Sequence, residues 1–517
     1  MTSAGAESIS AEQFVRGTTW RILTFLLVET LLPFLITPYL LHVLGSREFG
    51  AWVFFVALSG WVAFADLGVG ISVPRAVGLH FARGETQALR RSFSSAFYHC
   101  LLAAVVVVAA AFLGGPFLLD QLLGPGGSAY QPVLMGVVVW AAAALILRVL
   151  AGAMAGLQWI GLQQGVGFVM GILASASTIG CLWAGWGLAG LAWVLAGVTG
   201  LQVLLLLFLL RWKRCPVTYD PRLVSLQEVR RTVAFGLVLH LMALLAYVFQ
   251  SDRLFLAASG QPLAAVAAYS LGAALVSKAS ALVVQLAAAV FPSTPALSSD
   301  PARLRSLALR GTKLQSMVAG ILFGFLLAFA DPLITFWIGH PLPDAVRVAC
   351  LLVPWGFTGI IHTLTGIGAG LGKPGFQLKS SILAILFGAI LYAGGLGRSG
   401  PAGIAATVSI SVFSVAAIYL FDFRRHILPI DLPGFLLRSI LLPLVPALLV
   451  VPLLPLVRVL GPVHDRLSAA VVLLPAGILY VGGYLLLARR LGILDARDIE
   501  LLGRLYPRGR WSSHSSV

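Results

Sequence analysis

From Trp20 to Leu487 the chain alternates between apolar runs and brief polar connections. The runs are about 20 residues or longer, the length an α-helix needs to cross the hydrocarbon core of a bilayer. Fourteen spans are predicted, at 20–43, 50–73, 93–114, 131–154, 162–184, 187–210, 233–257, 264–290, 314–338, 346–370, 379–396, 402–422, 436–457 and 468–488. No soluble domain separates them. The longest connection on the non-cytoplasmic side, near Gly115 to Tyr130, holds only about fifteen residues. A membrane enzyme that keeps its catalytic groups on an outer loop has little room for one here.

Composition removes the alternative that length alone would suggest. A chain of 517 residues ordinarily implies several soluble domains, but this one is 59% hydrophobic and 10% charged, with a mean hydropathy of +0.96. No water-exposed surface could accommodate that balance. The 55 glycines and 27 prolines suit spanning helices that pack closely or break locally. The expected fold class is an all-α polytopic membrane protein.

The formal charge of +16 points first to nucleic acid, and its distribution then redirects that reading. Alternate loops carry Arg75, Arg83, Arg90 and Arg91, then Arg211, Lys213, Arg214, Arg222, Arg230 and Arg231. The same set continues with Arg303, Arg305, Arg310, Lys313, Lys373, Lys379, Arg424, Arg425 and the tail from Arg489 to Arg510. The other set holds about five basic residues, Arg47, Arg347, Arg398, Arg458 and Arg466. This asymmetry predicts that the basic loops and both termini are cytoplasmic. Charge spread over many short loops without interleaved aromatics is no nucleic-acid footprint. Cys100, Cys181, Cys215 and Cys350 lie far apart and form no CxxC or Cys/His spacing, so no metal site or disulfide framework is expected. The polar segment from Met1 to Arg16 lacks a cleavable apolar core, which predicts an anchored first helix.

The chain repeats itself at an offset of about 215 residues. AGLQWIGLQ (Ala155 to Gln163) aligns with AGLGKPGFQ (Ala369 to Gln377), and GETQALRRS (Gly84 to Ser92) with SDPARLRSL (Ser299 to Leu307). The repeat pairs spans 1–6 with spans 7–12. Six is even, so the halves share topology about an axis along the membrane normal, an arrangement that favours a central cavity between two bundles. The expected organisation is a cytoplasmic N-terminus (1–19), a six-helix bundle (20–210), a basic cytoplasmic linker (211–232), a second six-helix bundle (233–422), two additional C-terminal helices (436–488) and a basic cytoplasmic tail (489–517).

An ionised group near the bilayer centre costs at least ~2.5–3.5 kcal/mol, so each one needs a partner, water or a function. The first half places Arg21, Glu29, Asp66 and Arg148 within its spans; the second places Asp252, Arg253 and Lys278, with His240 and His362 able to titrate near neutral pH. Glu29 precedes Pro33 and Pro38, which free backbone carbonyls. It reads either as a proton or sodium site or as a structural partner of Arg21 or another helix's base. Asp252 and Arg253 diverge by about 100° on a helix and cannot both face one partner squarely. Arg253 could meet an anionic headgroup through its planar fork, or the two could fix the end of span 7. Arg148 and Lys278 could line a cavity or snorkel to the inner interface. Arg21 reads as an interface residue, and Asp66 with Arg75 as a helix-end pair.

No Walker loop, HExxH or GxSxG occurs. The acids available to an outer loop, Glu48, Asp120, Asp331, Asp344 and Asp465, are scattered over short turns. A transporter is therefore expected in place of an enzyme, with no cofactor or metal, and driven by an ion gradient or by its substrate's own gradient.

One segment carries a resemblance. Leu44-Gly45, Phe49-Gly50 with Trp52, Asp66-Leu67-Gly68 and Arg75 resemble the start of Wzx-type polysaccharide flippases of the multidrug/oligosaccharidyl-lipid/polysaccharide exporter superfamily. Gly156-Leu157-Gln158, Asp252-Arg253, Tyr269 and Phe291-Pro292 continue the likeness. It implies two six-helix bundles plus two helices in a bacterial inner membrane. It also implies movement of a polyprenyl-diphosphate-linked oligosaccharide to the outer leaflet, alongside a polymerase and glycosyltransferases. By that analogy Arg148, Arg253 and Lys278 are candidates for the diphosphate, and Glu29 and Asp252 for coupling to H+ or Na+. A flippase for the peptidoglycan precursor and a cation-coupled drug exporter are the neighbouring alternatives.

Overall fold

The structure is a computed structural model that describes residues 31–213, 215–248, 250–287, 290, 294, 297, 300–449 and 463–493. All regular structure among the described residues is helical, as lipid requires of segments whose backbone groups must be satisfied internally. Eleven helices among them are long and apolar enough to cross a membrane.

The chain opens with α1 (Leu32–Val62), which joins the end of span 1 to span 2 through a kink at Gly45 (φ 73°, ψ 167°). A short 3-10 turn, Ala63–Asp66, and two left-handed residues, Leu67 and Gly68, lead into α2 (Val69–Ala82). Span 2 is thus longer than predicted and broken in the middle. There follow α3 (Thr86–Leu123), α4 (Gln131–Gly156), α5 (Ile160–Trp183) and α6 (Gly187–Trp212). Span 7 is divided into α7 (Leu226–Val248) and α8 (Asp252–Ala258), and α9 (Leu263–Gln285) is span 8. Beyond it come α10 (Pro301–Ile338), α11 (Pro343–Phe357), α12 (His362–Gly370), α13 (Gly375–Ala393) and α14 (Gly400–Asp422). Helical turns over Leu432–Leu448 and α15 (Arg466–Arg490) complete the described chain.

The internal repeat is visible in the helix boundaries. α3 and α10 begin 215 residues apart and each runs for 38 residues. α5 and α13 also begin 215 residues apart, at Ile160 and Gly375. Both 38-residue helices outrun their predicted spans, because an i→i−4 ladder does not stop where hydropathy falls.

The described chain forms two compact units, one running to Leu271 with Ile385–Val408, the other containing Gly272–Ala384 and the residues from Ser409 onward. In the first, α4 packs against α2, α3 and α6, around a core that includes Val73, Phe93, Val149, Leu150 and Leu206. The connection after α6 is strapped along α3: Ser94 and Tyr98 donate to the carbonyls of Thr218 (2.6 Å) and Tyr219 (2.9 Å). The Tyr219 ring also lies against Phe93 and Phe97.

In the second unit α10 packs on α15, whose Tyr480 donates to the Gly320 carbonyl at 2.8 Å. Its polar centre is Gln315, fully buried. The Gln315 amide donates to the carbonyls of Val283 and Gly359, both at 3.1 Å, and accepts from Thr363 Oγ1 at 2.8 Å and Thr363 N at 3.2 Å. Every hydrogen-bonding position of that amide is used, so its burial carries no desolvation penalty from an orphaned group.

Candidate functional site

The break between α1 and α2 is built around Asp66, whose side chain is wholly excluded from solvent. Leu67 and Gly68 turn the backbone back so that the amides at the start of α2 point at the carboxylate. Oδ1 accepts from Gly68 N at 2.9 Å and Oδ2 from Gly70 N at 3.2 Å. A carboxylate at a helix N-terminus is favoured by unsatisfied amides and by the macrodipole. Gly68 also serves the packing of α7. A Cβ there would lie 2.7 Å from the Gly236 carbonyl, so its absence lets α7 approach α2.

Three other helices converge on this turn. Arg148 of α4 places Nη1 3.3 Å from Asp66 Oδ2 and 3.2 Å from the Ala63 carbonyl. His99 of α3 has Nε2 3.2 Å from the Asp66 carbonyl. His240 of α7 has Nε2 3.1 Å from the Phe64 carbonyl and Nδ1 3.7 Å from Asp66 Oδ1. Arg148 is therefore the basic partner of Asp66, with its side chain still 36% exposed.

Aromatic rings lead from this cluster to a second one. Phe64 lies edge-on to His240 and touches Tyr247, which in turn meets Trp61 at 5.8 Å. Trp61 Nε1 donates to Ser251 Oγ at 3.1 Å, immediately before α8. There Asp252 Oδ2 accepts from Tyr269 at 2.7 Å, while Arg253 Nε donates to Ser270 Oγ at 3.1 Å and Nη1 lies 3.4 Å from Asp252 Oδ1. Asp252 and Arg253 diverge as expected of adjacent helical residues, and α9 meets the divergence with two adjacent residues of its own.

Of the residues singled out from the sequence, the structure thus joins Arg148 to Asp66 and His240, and Asp252 to Arg253. Lys278 is half-buried farther along α9, in the second compact unit, and is engaged by a neighbour there. Glu29 and Arg21 lie outside the described residues, as do Phe291 and Pro292. Sequence reasoning paired Asp66 with Arg75 at the inner end of span 2; the carboxylate lies instead at the break within that span, where its arginine partner is Arg148. It did not find the Arg148 partner 82 residues away, or the attachment of His240. The mid-span charge of each was the available signal. No group of three or more His, Cys, Asp or Glu side chains able to hold a metal ion occurs among the described residues.

Residues 43–347, more than half of the chain and all of both clusters, match the family described as "Polysaccharide biosynthesis protein". The chain belongs to that family. Solved structures show how the polysaccharide biosynthesis protein fold of this chain relates to others. A multidrug resistance MATE family transporter of the MOP superfamily, in an inward-facing conformation, matches with a TM-score of 0.66 at 15% identity over 80% of this chain and 97% of its own. The lipid II flippase MurJ, in an inward closed conformation, matches with a TM-score of 0.69 at 12% identity over 93% of this chain and 100% of its own. A MOP superfamily transporter from Pyrococcus furiosus matches with a TM-score of 0.52 at 15% identity, over 82% and 94%. Among curated proteins none matches this chain. The family member described here is an all-α, multi-pass membrane protein with the MOP transporter fold.

Proposed function

We propose that this protein is a flippase that carries a polyprenyl-diphosphate-linked oligosaccharide from the cytoplasmic to the outer leaflet of the bacterial inner membrane, for surface polysaccharide assembly. The single observation behind the proposal is a polar network inside the membrane-spanning, family-matched region: Asp66, Arg148, His240, Asp252 and Arg253, linked by Phe64, Tyr247 and Trp61. Charges kept at membrane depth mark substrate and ion pathways. Guanidinium groups suit a diphosphate, and aromatic faces suit sugar rings. Transport runs by alternating access of two six-helix halves, with both termini in the cytoplasm and a polymerase and glycosyltransferases acting on either side of the step. In a deletion strain the lipid-linked oligosaccharide is expected to be synthesised normally and to accumulate on the cytoplasmic leaflet. Normal appearance of the glycan outside, with no redundant transporter present, rules the assignment out.

Arg148 and Arg253 are the proposed diphosphate ligands in this region, with Lys278 a third candidate. Arg253 commits Nε to Ser270 and Nη1 to Asp252, which orients the rest of its fork. Lysine offers a point charge without that fork. Arg253→Lys is expected to reduce glycan export roughly 10-fold, the scale of about 1.4 kcal/mol in binding, and Arg253→Ala to reduce it further. Normal export in both variants removes Arg253 from the ligand set.

A peptidoglycan-precursor flippase is the second reading. It is favoured by one observation, that the MurJ match extends over 93% of this chain where the MATE match covers 80%. Lysis on depletion distinguishes it from the first.

A further inference from the structure

We propose that Asp66 and His240 form an intramembrane proton-binding site, in which a proton taken up at His240 Nδ1 ties α7 to the break between α1 and α2. A neutral imidazole has one N–H donor and one acceptor nitrogen. Both nitrogens of His240 face acceptors: Nε2 the Phe64 carbonyl at 3.1 Å, Nδ1 the Asp66 carboxylate at 3.7 Å. Only the doubly protonated ring can donate to both. The ring is 5% exposed, and its Nδ1 has no hydrogen-bond partner among the described residues. At 3.7 Å the two groups are within ion-pair reach and beyond hydrogen-bond length, a gap that the added proton closes.

Asp66 is matched to this role. Its carboxylate has about four lone-pair positions, and three are filled, by Gly68 N on Oδ1 and by Gly70 N and Arg148 Nη1 on Oδ2. Among the described residues no donor fills the remaining position, which is on Oδ1, the oxygen nearest His240. Among the described residues, the other elements packed around the turn contribute no competing acid. From α3 come His99, turned to the Asp66 carbonyl, and Cys100. α2 contributes the Ser72 hydroxyl, bonded to the carbonyls of Gly68 and Thr232, while its Arg75 is exposed and its His80 pairs with Glu85. Asp252 and Arg253 satisfy each other with Tyr269 and Ser270. Tyr247, on the same helix as His240, donates to the Ala57 carbonyl.

Loaded, the site holds one carboxylate between two cations and stiffens the contact of α7 with α2. Unloaded, it sets a ring lone pair against a carboxylate oxygen and loosens that contact. The use of this proton in transport rests on the flippase reading and makes the proton its coupling ion. The binding of the proton does not depend on it.

The test is thermal unfolding of the purified full-length protein in detergent, at about pH 6 and about pH 8.5, on either side of the ordinary histidine range. The wild-type midpoint is expected to fall by about 2–4 °C more than that of His240→Gln. Glutamine keeps a donor for Phe64 but takes up no proton. Asp66→Asn is expected to lose the same component, because its amide can donate to the neutral ring. Should His240→Gln fail to fold, 15N NMR of histidine-labelled protein reads the ring directly, with two protonated nitrogens at about pH 6 and one at higher pH for a signal that moves in Asp66→Asn. A wild-type pH profile in either variant, or a singly protonated ring throughout, overturns the site. Export measured in the same strains separates the two proposals: lost export beside a wild-type profile removes the proton site and leaves the flippase standing, whereas normal export in the deletion strain does the reverse.

Discussion

Asp66→Ala is expected to destabilise the first compact unit by about 3 kcal/mol, the lower end of what breaking a buried ion pair costs. The lower end applies because the Arg148 side chain is 36% exposed and water reaches part of its charge. Three groups lose a partner together: the amides of Gly68 and Gly70, and the Arg148 guanidinium, which keeps only the Ala63 carbonyl and no counter-charge among the described residues. The loss should appear as a fall of several degrees in the unfolding midpoint in detergent, together with reduced glycan export. Arg148→Met alone should cost less, since the carboxylate keeps its two amides. In the double variant the methionine removes the stranded cation, so its destabilisation should be smaller than the sum of the single effects. Additive losses in this double-mutant cycle would show that the two side chains are not coupled.

Gly50→Val is expected to have the second large effect, on packing and on export alike. A Cβ at Gly50 would overlap the backbone carbonyl of Leu263, and a carbonyl at the start of a helix cannot rotate away as a side chain can. Overpacking usually costs about 1–3 kcal/mol where side chains can yield; here the backbone must move. Leu263 opens α9, the helix whose Tyr269 and Ser270 hold Asp252 and Arg253. Displacing it should loosen that clamp, so export should fall even in molecules that remain folded. Gly165→Ala, on α5 with open space around its Cβ position, should leave yield and export unchanged. Equal loss in both variants, read by size-exclusion profile and export, would mean that the close approach of α1 and α9 is not the cause.

Among the described residues the hydropathy pattern located the helices, because lipid leaves a long apolar segment little choice but helix. It was poorer at their ends. Thr86 to Ser92 is polar yet lies within α3, since intrahelical hydrogen bonding continues past the interface. The Asp66-Leu67-Gly68 and Phe49-Gly50 motifs were legible as residues, whereas the reason for each glycine was not. That reason is the backbone of Gly236 in one case and of Leu263 in the other, far along the chain in both. Mid-span charge singled out Arg148 from sequence alone. Its pairing with Asp66 depends on how α4 packs against the broken span, which periodicity does not encode. His240 was recognisable as a residue able to titrate, but its two facing acceptors follow from tertiary packing alone.

The 215-residue recurrence has a consequence for how the two copies diverged. Counted at that offset, Cys100 corresponds to Gln315 and Arg148 to Thr363. In the later copy those two positions bond directly, through neutral groups, at 2.8 Å. In the earlier copy the arginine turns to an aspartate and the cysteine is an apolar core residue. At equivalent positions, then, one copy closes a neutral contact that needs no counter-ion, while the other carries an arginine that must find its carboxylate elsewhere, on the broken span.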